Sequence, residues 1–127
     1  MIDHVSVKTS NQAASRRFYE KALAPLGYEV LMEFHDGAVV GMGIGRKPDF
    51  WFSSGKPSSP IHVAFSAPDR ATVDAFYEAA LASGGKDNGA PGLRTEYHAG
   101  YYGAFVHDPD GNNVEAVFHD PSEMKKG

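Results

Sequence analysis

Apolar and polar positions alternate along most of this chain and change to a helical spacing twice. Val5 and Val7 alternate with His4 and Ser6, so residues 2–7 read as a strand. Ser10 or Asn11 can cap a helix running to about Leu23, which Ala24-Pro25 ends. Residues 28–34 and 38–44 read as strands about a His35-Asp36-Gly37 turn, and residues 50–53 as a further short strand. After the Ser- and Pro-rich stretch 55–60, residues 61–66 alternate again. Asp69 is a good N-cap, and Val73, Phe76, Tyr77, Ala80 and Leu81 follow on one helical stripe closed by Gly84-Gly85. Residues 86–95 are glycine-rich and predict a short strand plus a loop. Residues 101–106 and 113–118 read as strands joined by Asp108-Pro109-Asp110-Gly111, with Pro and Gly placed as a type I turn wants them.

The order strand, helix, strand, strand, strand thus occurs twice, and the residues repeat with it. His4-Val5, Phe18-Tyr19-Glu20, Ala22-Leu23-Ala24 and Gly27 return at one constant offset as His62-Val63, Phe76-Tyr77-Glu78, Ala80-Leu81-Ala82 and Gly85. The expected fold is α+β: two βαβββ modules in a pseudo-twofold arrangement, with curled mixed sheets around a central cavity. Module one takes residues 1–54, the joint 55–60, module two 61–120, and a frayed tail 121–127, all within one domain.

Strict alternation assigns faces to the strands. If Val5, Val63, Val114 and Ala116 cover the helices, the opposite face carries His4, His62 and Glu115. Two neutral imidazoles and one carboxylate suit a divalent first-row metal and leave coordination positions for substrate. A lone histidine near a strand start is an ordinary polar residue. Two at repeat-equivalent positions, beside an acid flanked by Val114 and Ala116, point instead to a shared centre.

Composition narrows the field. The 127 residues carry a formal charge of −4, which argues against an extended nucleic-acid surface. There is no cysteine, hence no disulfide, thiolate nucleophile or cysteine zinc site. Residues 1–4 show neither a basic region nor an apolar signal segment, and the run 37–45 is too short to span a bilayer. A soluble cytoplasmic protein without membrane contact is expected. Gly41, Gly43 and Gly45 lack the strand–turn–helix setting of a dinucleotide site.

The opening Ile2-Asp3-His4-Val5, the helix Phe18-Tyr19-Glu20-Lys21-Ala22-Leu23, the mid-chain Ile61-His62-Val63-Ala64-Phe65 and the closing Asp108-Pro109-Asp110-Gly111-Asn112-Asn113-Val114-Glu115 resemble the vicinal oxygen chelate superfamily. Its members include glyoxalase I, bleomycin-resistance proteins, fosfomycin-resistance proteins and extradiol dioxygenases. The resemblance implies paired βαβββ modules around a metal, ligands at His4, His62 and Glu115, and a homodimer. The metal would be Fe, Mn, Zn, Ni or Co. Glyoxalase I enzymes place a fourth ligand where this chain carries Trp51, and tryptophan cannot ligate. The tyrosine of fosfomycin-type enzymes falls at Phe105.

Two functions follow as expectations. The first is a small metalloenzyme, glyoxalase- or dioxygenase-like, acting on an oxygen-bearing organic substrate. Its metal would sit on His4, His62 and Glu115, its pocket would be shaped by Trp51, Phe105 and Tyr101, and His98 and Tyr101 are the candidate acid–base groups. The second is a metal-free, bleomycin-resistance-like protein that sequesters a small ligand. Trp51 serves as a platform in either, or as plain core packing. The modules can pair within one chain or between two.

Overall fold

A computed structural model describes residues 1–124. Module one comprises β1 (Val5–Thr9), α1 (Gln12–Ala22), a 3-10 turn (Ala24–Leu26), β2 (Glu29–Phe34), β3 (Val39–Gly43) and β4 (Phe50–Ser54). Module two repeats it with β5 (His62–Ser66), α2 (Arg70–Ala82), β6 (Lys86–Leu93), β7 (Tyr101–His107) and β8 (Asn113–His119), and α3 (Pro121–Met124) follows. Each module is one four-stranded sheet, ordered β1-β4-β3-β2 and β5-β8-β7-β6. In each, the first strand joins the last in parallel and the other pairs are antiparallel. The α+β class and the two βαβββ modules are as the sequence predicts. No helix among the described residues is long and apolar enough to cross a membrane.

Local chemistry explains the helix limits. The Asn11 side chain accepts from the Ala14 amide at 3.1 Å, and that of Asp69 from the Thr72 amide at 2.7 Å, so each helix starts with an orphan donor satisfied. Pro25 cannot continue α1, and Gly27 turns the chain out at φ 88°.

Four details differ from expectation. The first strand begins at Val5 rather than Ile2: Ile2 is exposed and has no ladder partner, and pairing starts with the bond from the Val5 amide to the Asp49 carbonyl. Leu81 lies at the exposed rim of the α2 stripe, which Val73, Phe76 and Ala80 bury. The glycine-rich stretch forms an eight-residue strand, β6, whose pairing to β7 slips on both sides of Gly89. Bulges at glycine break the alternation that reveals a strand in sequence. The tail begins as the short helix α3, with Arg70 bonded to the Asp120 carboxylate at 2.8 Å, while residues 125–127 of the expected frayed end lie outside the described residues.

One continuous core joins the modules. The α1 and α2 helices pack on each other and cover one face of each sheet, enclosing Phe18, Tyr19, Phe50, Phe52, Phe65 and Phe76. Phe65 of β5 meets Phe50 of β4 edge-on at 5.4 Å. A polar lock reinforces this seam. The Asp108 carboxylate, 4% exposed, accepts from the Tyr19 hydroxyl, the Asp110 and Asn112 amides and the Asn112 side-chain amide. The closing turn of module two is thereby tied to the first helix of module one.

The helix-free faces follow from register. Ser6, Trp51 and Gly41 stand side by side across sheet one, and Ala64, Glu115 and Phe105 across sheet two.

Candidate functional site

Glu115 is the buried acid side chain around which the open face of sheet two is organised. It sits in β8 between the core residues Val114 and Ala116, and is fully buried although it points away from the helices. A carboxylate without water must find partners in the protein. His62, two residues before Ala64 on the neighbouring strand, brings its Nε2 to 2.6 Å from Glu115 Oε1. The Tyr101 hydroxyl of β7 donates to Oε2. Burial, then the hydrogen bond to this carboxylate, holds the Tyr101 phenol well above its ordinary pKa. Tyr101 therefore keeps its proton at neutral pH and fixes one oxygen of Glu115 while the other faces His62.

Two further residues shape this face. The Phe105 ring lies 6.3 Å from the His62 ring. Gly103, between Tyr101 and Phe105 on β7, leaves the space the phenol needs to reach across: a Cβ there would stand 3.2 Å from the Tyr101 ring and 3.5 Å from Glu115 Oε2. Gly103 was not singled out from sequence. The signal was present in the alternation Tyr101, Gly103, Phe105, which puts the glycine on the same face as Glu115.

His4 lies elsewhere. It precedes β1, with Nδ1 2.8 Å from Asp3 Oδ1. It lines a cavity of about 430 Å³ at the seam of the modules, together with Tyr28, Ile44, Phe65 and Ser66. Among the described residues no three His, Cys, Asp or Glu side chains gather closely enough to hold a metal ion. One chain thus brings His62 and Glu115 together and leaves His4 apart.

The remaining candidates fall in two places. His98 Nε2 is 2.8 Å from His119 Nδ1, the two rings stack at 4.9 Å, and both stand edge-on to Tyr101 at 5.4 Å. His98 therefore touches the phenol rather than Glu115. Trp51 is outside the core that Phe50 and Phe52 occupy. Its indole stacks on Phe34 at 6.1 Å and covers Gly41, where a Cβ would stand 2.8 Å from the ring.

The Glyoxalase/Bleomycin resistance protein/Dioxygenase superfamily model matches residues 1–116. The chain belongs to that superfamily. No curated protein matches it significantly. Solved structures of the superfamily do. A glyoxalase/bleomycin resistance protein from Albidiferax ferrireducens is 27% identical, with TM-score 0.73 over 91% of this chain and 96% of that one. A glyoxalase/bleomycin resistance protein/dioxygenase family enzyme from Burkholderia phytofirmans is 21% identical, with TM-score 0.72 over 93% and 98%. A variant of glyoxalase I from Zea mays is 22% identical, with TM-score 0.68, and this chain covers 47% of it and matches it over 97% of its own length. At the latter two identities the likeness shows the fold alone. Trp51 holds in sheet one the place that Glu115 holds in sheet two. Trp51 pairs with Ser6 as Glu115 pairs with Ala64, and Ser6 and Ala64 are repeat equivalents.

Proposed function

We propose that this protein is a small glyoxalase- or dioxygenase-like metalloenzyme that binds an oxygen-bearing organic substrate at a divalent ion held by His62, Glu115 and His4. The observation that carries the reading is the fully buried Glu115 carboxylate with His62 at 2.6 Å. The donor set fits such an ion: imidazole nitrogen and carboxylate oxygen suit first-row divalent metals. Because His4 stands apart within the chain, the third ligand comes from a second copy, and the working form is a homodimer. The sheet faces left open by the helices supply the surfaces that a second copy would cover.

A divalent ion bound there supplies Lewis acidity towards substrate oxygens. The chain's own residues do the rest. Tyr101 holds Oε2 of Glu115 and keeps its own proton, which makes it a donor rather than a base. His98, in contact with the Tyr101 ring, is placed to pass a proton at the rim of the face. Phe105 walls one side of His62. The half-exposed Trp51 and Phe34 pair offers a flat apolar platform for the substrate's carbon skeleton.

That platform also favours the second reading, a metal-free protein that sequesters an aromatic ligand. Metal analysis of protein purified without chelator separates the two. We expect one metal per chain, lost in His62→Ala, His4→Ala and Glu115→Gln, with light scattering reporting a dimer. Mixing His4→Ala with Glu115→Gln subunits restores part of the binding if the ligands come from different chains. Absence of uptake from Fe, Mn, Zn, Ni or Co selects the sequestering protein.

A further inference from the structure

The open face of sheet two holds a cation that the proposed metal site does not use. Arg94 follows β6, and its guanidinium lies 5.3 Å from the centre of the Phe105 ring, which is in turn 6.3 Å from the centre of the His62 ring. Arg16 and Arg70, half-buried like Arg94, each pair with acids: Arg16 with Glu20 and Glu33, Arg70 with Asp120 and Glu123. Arg94 pairs with no carboxylate among the described residues. One bond, from Nη2 to the Ala90 carbonyl at 2.7 Å, ties it to its own strand and leaves Nη1 and Nε without an acceptor among the described residues.

The surroundings are cut to fit that side chain. A Cβ at Gly89 would stand 3.2 Å from Nη2, and one at Gly92 would stand 3.1 Å from Nη1. Two bare positions in β6 therefore form the trough in which the guanidinium rests. The backbone fixes its root as well, since the Arg94 amide donates to the Tyr101 carbonyl at 2.7 Å. A hairpin staple would need only the bond to Ala90. It would not need a cation placed over an aromatic ring beside the His62–Glu115 pair, with donors left over. Guanidinium forks bind carboxylate and phosphoryl oxygens through two parallel hydrogen bonds. The cation's charge also reaches Tyr101, where it opposes the effects of burial and Glu115.

We propose that Arg94 anchors an oxyanion group, a carboxylate or phosphoryl group, on the substrate whose other oxygens reach the His62–Glu115 centre. The inference rests on the proposed site but makes a separate demand. The substrate must be an organic acid whose anion lies by the Phe105 ring, near the His62–Glu115 pair.

The test uses malonate, inorganic phosphate and the neutral analogue malonamide, titrated into full-length protein by calorimetry in the presence of a chelator, so that no metal is needed. Wild type should bind one of the anions and not malonamide. Arg94→Gln should weaken that binding by about tenfold or more, and Arg94→Lys by less, because it keeps charge but not the fork. Preference for malonate assigns a carboxylate, and preference for phosphate a phosphoryl group. Amide shifts at Gly89 and Gly92 in the wild-type NMR spectrum should follow the titration, which tests the location even if a variant folds poorly. Equal anion binding by wild type and Arg94→Gln overturns the proposal. So does a shift of Arg94→Gln from dimer to monomer with no anion bound by wild type, since the counter-ion would then be a carboxylate of the second copy. Failure of the metal reading would leave the chelator-independent anion binding in place, so the two are distinguishable.

Discussion

The two sheets share strand order and register, yet their open faces carry opposite chemistry. On the helix side the equivalent rows match: Val7, Phe52 and Val40 in one, Phe65, Ala116 and Ala104 in the other. On the open side, an indole over a bare glycine in sheet one faces the role taken in sheet two by a buried carboxylate between histidine and tyrosine. The difference teaches which half of a strand is free to change. Helix-facing residues answer to a close-packed core, where volume is constrained. Open-face residues answer only to what lies above them, and there Trp51 and Glu115 have parted. The closing turns differ as well. In module two Asp108 is buried and saturated with donors, among them the Tyr19 hydroxyl. In module one the matching connection has an exposed Asp49, which accepts from the Tyr28 hydroxyl at 3.0 Å.

The turn contrast yields the largest expected effect. Tyr19→Phe keeps the buried ring and removes a donor from an enclosed carboxylate, so urea denaturation should show a loss of about 1–3 kcal/mol. Tyr28→Phe removes a bond that water can replace, and its loss should stay below about 1 kcal/mol. Equal losses would mean that the two turns are not differently anchored, and that the Asp108 lock does not distinguish the modules.

The next test bears on the open faces. Gly41→Ala drives a Cβ against the Trp51 ring, which must shift and lose its fit to the sheet, at a cost of about 1–3 kcal/mol. Trp51 is the single tryptophan, so its fluorescence reports the displacement directly. Gly103→Ala in sheet two meets the Tyr101 ring at a longer 3.2 Å. It should cost less and leave indole emission unchanged. An unaltered emission spectrum in Gly41→Ala would show that Trp51 is not seated on that glycine.

Much of this arrangement is legible in the sequence. The repeat, the caps Asn11 and Asp69 and the alternation around Glu115 are local signals, and they lead to the modules, the helices and the His62–Glu115 face. What escaped depends on distant partners. The glycine bulges of β6 hide its period. Tyr101 reaches Glu115 only through the β7–β8 register, and His98 turns to His119 because β8 ends beside the loop. The separation of His4 from His62 follows from how α1, α2, Phe50 and Phe65 set one module against the other, which no local pattern encodes.

The smallest expected effect compares the phenol of the site with that of module one at alkaline pH. Burial first, and then the bonded carboxylate, raises both: Tyr101 beside Glu115 and Tyr28 beside Asp49. An unfolded tyrosine ionises near its ordinary value of 10.0, whereas these two retain their protons in the fold. Above that pH the native state binds more protons than the unfolded state, so stability falls as pH rises. The contribution is complete below about pH 10 and is lost progressively above it. Urea midpoints measured between about pH 8 and pH 11 should therefore decline in wild type and decline less steeply in Tyr101→Phe and in Tyr28→Phe. Below about pH 9 the two variants should part: Tyr101→Phe leaves Glu115 short of a donor and should loosen metal uptake, while Tyr28→Phe should leave uptake unchanged. A Tyr101→Phe protein with wild-type alkaline slope would show that the phenol does not hold its proton against Glu115, and the account of how that carboxylate is oriented would fall with it.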